Sequence, residues 1–116
     1  MSVSYDPEAG DAVWLDFTPH AGHETAGRHP AIVLTPRAYQ VATGLALVVP
    51  VTTKAKGGSF EVPIRGAKRL KGVALANELR TIDFAARQAE KFDDCPIEVL
   101  AKIRDIGEAL LRSIDK

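Results

Sequence analysis

The run Leu45-Ala46-Leu47-Val48-Val49-Pro50-Val51-Thr52-Thr53-Lys54-Ala55-Lys56-Gly57-Gly58 constrains the fold of this chain more than any other stretch. It begins as an almost unbroken apolar run. Val48, Val49 and Val51 are β-branched, which suits a strand covered on both faces. Pro50 has no N–H to donate, so it belongs at an edge, an end or a bulge. Two hydroxyls, two cations and two glycines then follow. A buried strand that opens in this way delivers polar groups to a rim. The same residues also fit an ordinary strand followed by a solvated turn.

Shorter strands are expected around it. Ala12–Phe17 alternates, with Val13, Leu15 and Phe17 on one face and Trp14 and Asp16 on the other. Residues 18–29 read as a loop punctuated by Pro19, Gly22 and Gly27. Pro30–Thr35 is an apolar strand, and Pro36–Gly44 has room for one short helical turn around Arg37–Tyr39. Phe60–Ile64 alternates with Phe60, Val62 and Ile64 inward. Val73–Ala76, Leu79–Asp83 and, more weakly, Ala85–Phe92 complete the strands.

The period then changes. Ile97, Leu100, Ile103, Ile106, Leu110 and Ile114 recur at three- and four-residue steps, one face of an amphipathic helix over about 96–114. Glu98, Lys102, Asp105 and Arg112 fall on its polar face. Pro96 suits the first turn, and Asp93 and Asp94 place negative charge near the positive end of the helix dipole. Short strands followed by one terminal helix predict a mainly β chain, a small antiparallel barrel or half-open sheet with a helix packed on it. At 116 residues, this is expected to be one domain over 1–116.

A single cysteine, Cys95, excludes an intramolecular disulfide and a multi-cysteine zinc site, and fits a reducing cytoplasm. Residues 1–6 lack the basic and apolar regions of a signal peptide, and no apolar run approaches a membrane span. A formal net charge of zero argues against a generic polyanion binder. The charge is nevertheless uneven. Met1–Phe17 holds four acids and no Lys or Arg, whereas Lys54–Lys71 holds six bases against Glu61 alone. Such a local excess attracts phosphate, and equally serves a solvated hairpin made basic for solubility.

His20, His23, His29 and Glu24 share one loop, but their spacing is not that of a helical zinc motif, so no metal and no other cofactor is expected. Neither a nucleophile elbow nor a Walker phosphate loop is present. Metal-free RNA cleavage remains chemically open. It needs a base on the 2′-oxygen, cationic or N–H donors on the phosphorane oxygens and an acid at the leaving 5′-oxygen. The loop Glu24–His29 and the rim Thr52–Lys56 contain every group type required.

Several spaced motifs run in order over residues 10 to about 83: Gly10-Asp11-x-x-Trp14-Leu15-x-Phe17-x-Pro19, then Gly22-His23-Glu24-x-x-Gly27-Arg28-His29-Pro30-Ala31-Ile32-Val33-Leu34, then Pro50-Val51-Thr52-Thr53 and Gly72-Val73-Ala74-Leu75. In these motifs the chain resembles the MazF/PemK toxin family. The resemblance implies a small SH3-like barrel, a homodimer and a ribosome-independent, sequence-specific endoribonuclease acting on single-stranded mRNA without metal. It also implies a cognate antitoxin whose acidic, disordered segment lies in the RNA groove, contact with DNA only through that antitoxin, and no membrane role. The alternative is a non-catalytic member of the fold that binds RNA or a protein target such as gyrase.

Two positions depart from the family pattern. Its main catalytic arginine directly precedes the proline, where this chain has His29 and carries the arginine one residue earlier, at Arg28. In an extended segment that shift aims the side chain at the opposite face, whereas in a loop the constraint is weaker and Arg28 can still reach the site. Asn77 stands where some members carry an aspartate proposed as a base. Thr52 and Glu24 match the family's functional threonine and loop glutamate. The expected division is Arg28 as electrostatic stabiliser, His29 as acid or base, and Thr52 as positioning group. The expected RNA contacts are Glu24, Thr53, Lys54, Lys56, Asn77 and Arg80.

Overall fold

A computed structural model describes residues 5–17 and 27–112. In chain order it contains β1 (Asp11–Phe17), β2 (Gly27–Val33), α1 (Arg37–Thr43), β3 (Leu45–Thr52), β4 (Glu61–Pro63), β5 (Val73–Leu75), β6 (Arg80–Asp83), β7 (Glu90–Asp94) and α2 (Ile97–Arg112). The seven strands form one antiparallel sheet in the order β4-β5-β3-β2-β1-β7, with β6 also paired to β3. The sheet is roughly barrel-like and not closed.

β3 is the central strand. One edge pairs with β2. The other pairs with β6 through Leu45–Val48 and with β5 through Val51–Thr52. Pro50 is therefore interior to the sheet rather than at its margin. It sits in the gap where β3 changes partner, so a missing N–H is tolerated there. Alternate residues fill two cores. Ala12, Ile32, Val49 and Val51 pack with Leu100 and Ile103 of α2 on one face. Val13, Leu15, Phe17, Ala31, Val33 and Val48 pack with Ile82 and Phe84 on the other. β3 is thus covered on both faces, as its composition predicts.

Several boundaries differ from expectation, each for a local reason. β2 starts at Gly27, not Pro30, because its ladder with β1 continues through Trp14↔Pro30 and Leu15↔His29 to Phe17↔Gly27. α1 has two turns, closed by Gly44 in the left-handed region (φ 75°), whose N–H donates to the Gln40 carbonyl. Gln40 is buried, and its amide donates to the carbonyls of Pro7 and Thr35. Phe60 lies outside β4 and is 42% exposed. The last strand is Glu90–Asp94, later than the alternation suggests.

The buried stripe of α2 is Val99, Leu100, Ile103 and Gly107, while Ile97 is 76% exposed. Ile97 lies about 100° around the helix from the centre of that stripe. Ile114 is outside the described residues. Pro96 precedes the helix, and its carbonyl accepts the Leu100 N–H. Asp93 serves the β4–β5 connection rather than the helix dipole, since its carboxylate accepts the N–H groups of Arg69, Leu70 and Asp94.

Candidate active site

Because β2 begins at Gly27, Arg28 and His29 are consecutive strand residues and project from opposite faces. Arg28 lies across from Asp16 on β1. Its Nη1 donates to Asp16 Oδ1 at 2.8 Å, and its Nη2 reaches Glu90 Oε1 at 3.3 Å and the Gln88 carbonyl at 3.2 Å. The hydrogen bond to Asp16 leads the causes that raise the guanidinium pKa above its ordinary value. Arg28 therefore ties β2 to β1 and β7. Arg28 is not among the residues that line the cavity holding Thr52.

His29 faces the other way. Its ring meets Phe17 edge-on, with centroids 6.3 Å apart and an interplanar angle of 82°. The Arg80 guanidinium lies over that same Phe17 ring, 5.1 Å from its centroid. His29 lines an open cavity of about 450 Å3 together with Thr52, Lys54, Lys56, Glu61 and Glu78, and with Val51 and Leu75 as its apolar part.

Thr52 ends β3 and is held in two ways. Its hydroxyl oxygen accepts the Lys54 N–H at 3.1 Å, a local turn that Ser and Thr favour. Behind it stands Gly72, in the left-handed region at φ 107°. A Cβ on residue 72 would collide with the Thr52 carbonyl oxygen and lie 2.8 Å from the Thr52 carbonyl carbon. Only glycine allows both the backbone angle and this approach. The rim that follows Thr52 is pinned by Glu61. The Lys56 N–H donates to both Glu61 carboxylate oxygens, at 3.1 and 3.0 Å, and the Gly57 N–H donates to Oε1 at 3.0 Å.

The other expected contacts are distributed around this cavity. Lys54 and Lys56 line it. Thr53 is exposed in the bend after Thr52 and does not line it. Asn77 is exposed in the turn after β5, between the lining residues Leu75 and Glu78. Arg80 is placed on β6, above Phe17. Glu24, His20 and His23 lie outside the described residues. The basic stretch divides: Arg65 lines a separate cleft with Glu98 and Lys102 of α2, and the Arg69 backbone is held by Asp93.

Sequence reasoning missed Glu61, Glu78 and Gly72. Two signals were available: Glu61 is the lone acid in the basic stretch, and Gly72 opens one of the family motifs. Chemically, the cavity presents an imidazole, a hydroxyl, two ammonium groups and the carboxylates of Glu61 and Glu78. Such a set can hold a phosphodiester and move a proton on it.

Residues 8–110 match the family described as PemK-like, MazF-like toxin of type II toxin–antitoxin system. The endoribonuclease toxin MazF of Escherichia coli K12 is 48% identical over 91 residues, covering 78% of this chain and 81% of that protein. The endoribonuclease PemK of Escherichia coli is 33% identical over 102 residues, covering 84% of this chain and 77% of that protein. The crystal structure of MazF (Form-I) from Deinococcus radiodurans superposes with a TM-score of 0.88 at 47% identity, covering 93% of this chain and 98% of that one. The MazE-MazF crystal structure (Form-II) from the same organism gives a TM-score of 0.83 at 47% identity, covering 93% and 97%.

Proposed function

This chain belongs to the PemK-like, MazF-like toxin family, and from that premise we propose how its cavity cleaves RNA. The chain is an endoribonuclease toxin of a toxin–antitoxin system, with RNA as substrate and an antitoxin as partner. The observation that carries the mechanistic reading is that His29 and Thr52 line one cavity with Lys54 and Lys56, while Arg28 is turned to the opposite face of β2.

In this mechanism the 2′-oxygen attacks the adjacent phosphorus as its proton leaves, and the P–O5′ bond breaks as the 5′-oxygen gains a proton. The products are a 2′,3′-cyclic phosphate and a 5′-hydroxyl. His29 supplies the imidazole in the cavity that passes one of these protons. Thr52 acts as a donor: its oxygen already accepts the Lys54 N–H, so its own O–H is available to a non-bridging phosphoryl oxygen. Lys54 and Lys56 stabilise charge on the phosphorane. Arg28 is a positioning residue that fixes the strand from which His29 projects.

The same lysines suit an acidic antitoxin segment competing for the cavity. The reading further includes a homodimer acting in the cytoplasm on single-stranded mRNA in a sequence-specific, ribosome-independent way. Among the described residues, no helix is long and apolar enough to cross a membrane. The test is incubation of the purified chain with a long synthetic RNA, with and without EDTA. Discrete fragments ending in 2′,3′-cyclic phosphate under both conditions are expected. Intact RNA that is nevertheless bound would mark a non-catalytic protein of this fold.

A further inference from the structure

We propose that Glu61 is a positioning residue for RNA binding: its carboxylate pre-forms the cationic rim by clamping the backbone of Lys56 and Gly57. The proposal rests on the reading of the cavity given above. Three features carry it. Lys56 and Gly57 are consecutive residues whose N–H groups converge on one carboxylate, at 3.0–3.1 Å. Gly57 adopts the left-handed backbone (φ 80°) that such convergence of successive N–H groups uses. The Glu61 N–H in turn donates to the Gly58 carbonyl at 3.2 Å, so the loop closes on the residue that holds it.

The clamp explains an otherwise unfavourable placement. Glu61 lines the same cavity as Lys54 and Lys56, and a carboxylate there repels an incoming phosphate. Considered as a charge alone, it weakens RNA binding. Its three backbone bonds give it the opposite effect. Lys54 and Lys56 flank a rim that is anchored at one end by the Thr52 hydroxyl and at the other by Glu61. Without the second anchor, the backbone at Lys56 and Gly57 has to be ordered as RNA binds, at an entropic cost. The two views therefore predict opposite signs for removal of the carboxylate.

The experiment compares wild type, Glu61→Ala and Glu61→Gln for binding of a non-cleavable single-stranded oligonucleotide carrying 2′-deoxy or 2′-O-methyl sugars, and for single-turnover cleavage of the corresponding RNA. Amide hydrogen exchange at Lys56 and Gly57 is followed in parallel. Glu61→Ala is expected to weaken binding on the order of tenfold, the factor for about one residue of backbone ordered late. Cleavage at subsaturating enzyme falls in step with binding, and protection is lost at Lys56 and Gly57 while core amides keep theirs. Glu61→Gln keeps an oxygen that accepts both N–H groups and removes the charge, so it binds as wild type or tighter. Glu61→Ala binding equal to or tighter than wild type, or unchanged exchange at Lys56 and Gly57, overturns the clamp. A wild-type chain that binds no RNA overturns the cavity reading itself, a result distinguishable because the exchange measurement needs no RNA.

Discussion

Gly72 stands so close behind Thr52 that no side chain fits between them: a Cβ on residue 72 would collide with the Thr52 carbonyl oxygen and lie 3.1 Å from the Thr53 Cα. Thr52 is thus held from behind by backbone and from the front by the Lys54 N–H. Gly72→Ala is expected to cost on the order of 2–4 kcal/mol, from the collision and the left-handed backbone together. It should also displace Thr52 and slow cleavage at temperatures where the variant is still folded. Urea unfolding alongside single-turnover cleavage checks this. A variant with wild-type stability and rate would show that the two residues are not coupled.

Arg28 should matter much less than the family pattern implies. Its partners are surface groups, with side-chain exposures of 38% for Arg28 and 46% for Asp16. Arg28→Ala should therefore cost about 0–1 kcal/mol in stability. Its cleavage rate should fall by less than about tenfold, about 1.4 kcal/mol of barrier, because its guanidinium faces away from the cavity. Thermal unfolding and single-turnover rates measure both.

Lys54 and Lys56 should set the salt dependence of RNA binding. Replacing both, as Lys54→Gln with Lys56→Gln, should reduce the slope of log K against log salt by about 0.7 for each phosphate of the single strand that is no longer neutralised. Neutralising Arg65 and Lys68 should leave the slope nearly unchanged, because Arg65 lines a different cleft. A slope insensitive to Lys54 and Lys56 would put the RNA elsewhere.

Asp93 provides a pH-dependent tie between β7 and the β4–β5 connection. Desolvation raises its pKa, but the N–H groups of Leu70, Arg69 and Asp94 outweigh that and hold it below the ordinary carboxylate value. A depressed folded pKa means that the unfolded chain binds the proton more readily as pH falls. The stabilisation is thus present above the unfolded value of about 3.9 and is lost as pH drops through the folded one. Asp93→Asn should lower stability at neutral pH and flatten part of the acid limb. Urea midpoints measured from neutral to acidic pH check both effects.

Much of this architecture can be read from residue pattern. The β-branched Val48, Val49 and Val51 mark a strand covered on both faces, and they are buried in the central strand. Period gives faces but not margins. Phe60 and Ile97 continue their patterns in sequence, yet each lies where the packed surface stops, so both are exposed. Pro30 reads as a strand start because proline punctuates. The ladder instead continues to Gly27, and that alone decides that Arg28 and His29 face apart. Glu61 could not be read as a clamp, because its partners are backbone N–H groups whose direction depends on a turn formed by Gly57.

The proposed mechanism turns on His29, rather than Arg28, working beside Thr52. The decisive measurement is single-turnover cleavage by wild type, His29→Gln and Arg28→Ala, followed as a function of pH. If His29 carries the proton, His29→Gln loses about 10²–10⁴-fold in rate and the pH limb with it, while Arg28→Ala keeps both the limb and most of the rate. A His29→Gln enzyme with the wild-type rate and pH profile, beside an Arg28→Ala enzyme that no longer cleaves, would refute that assignment.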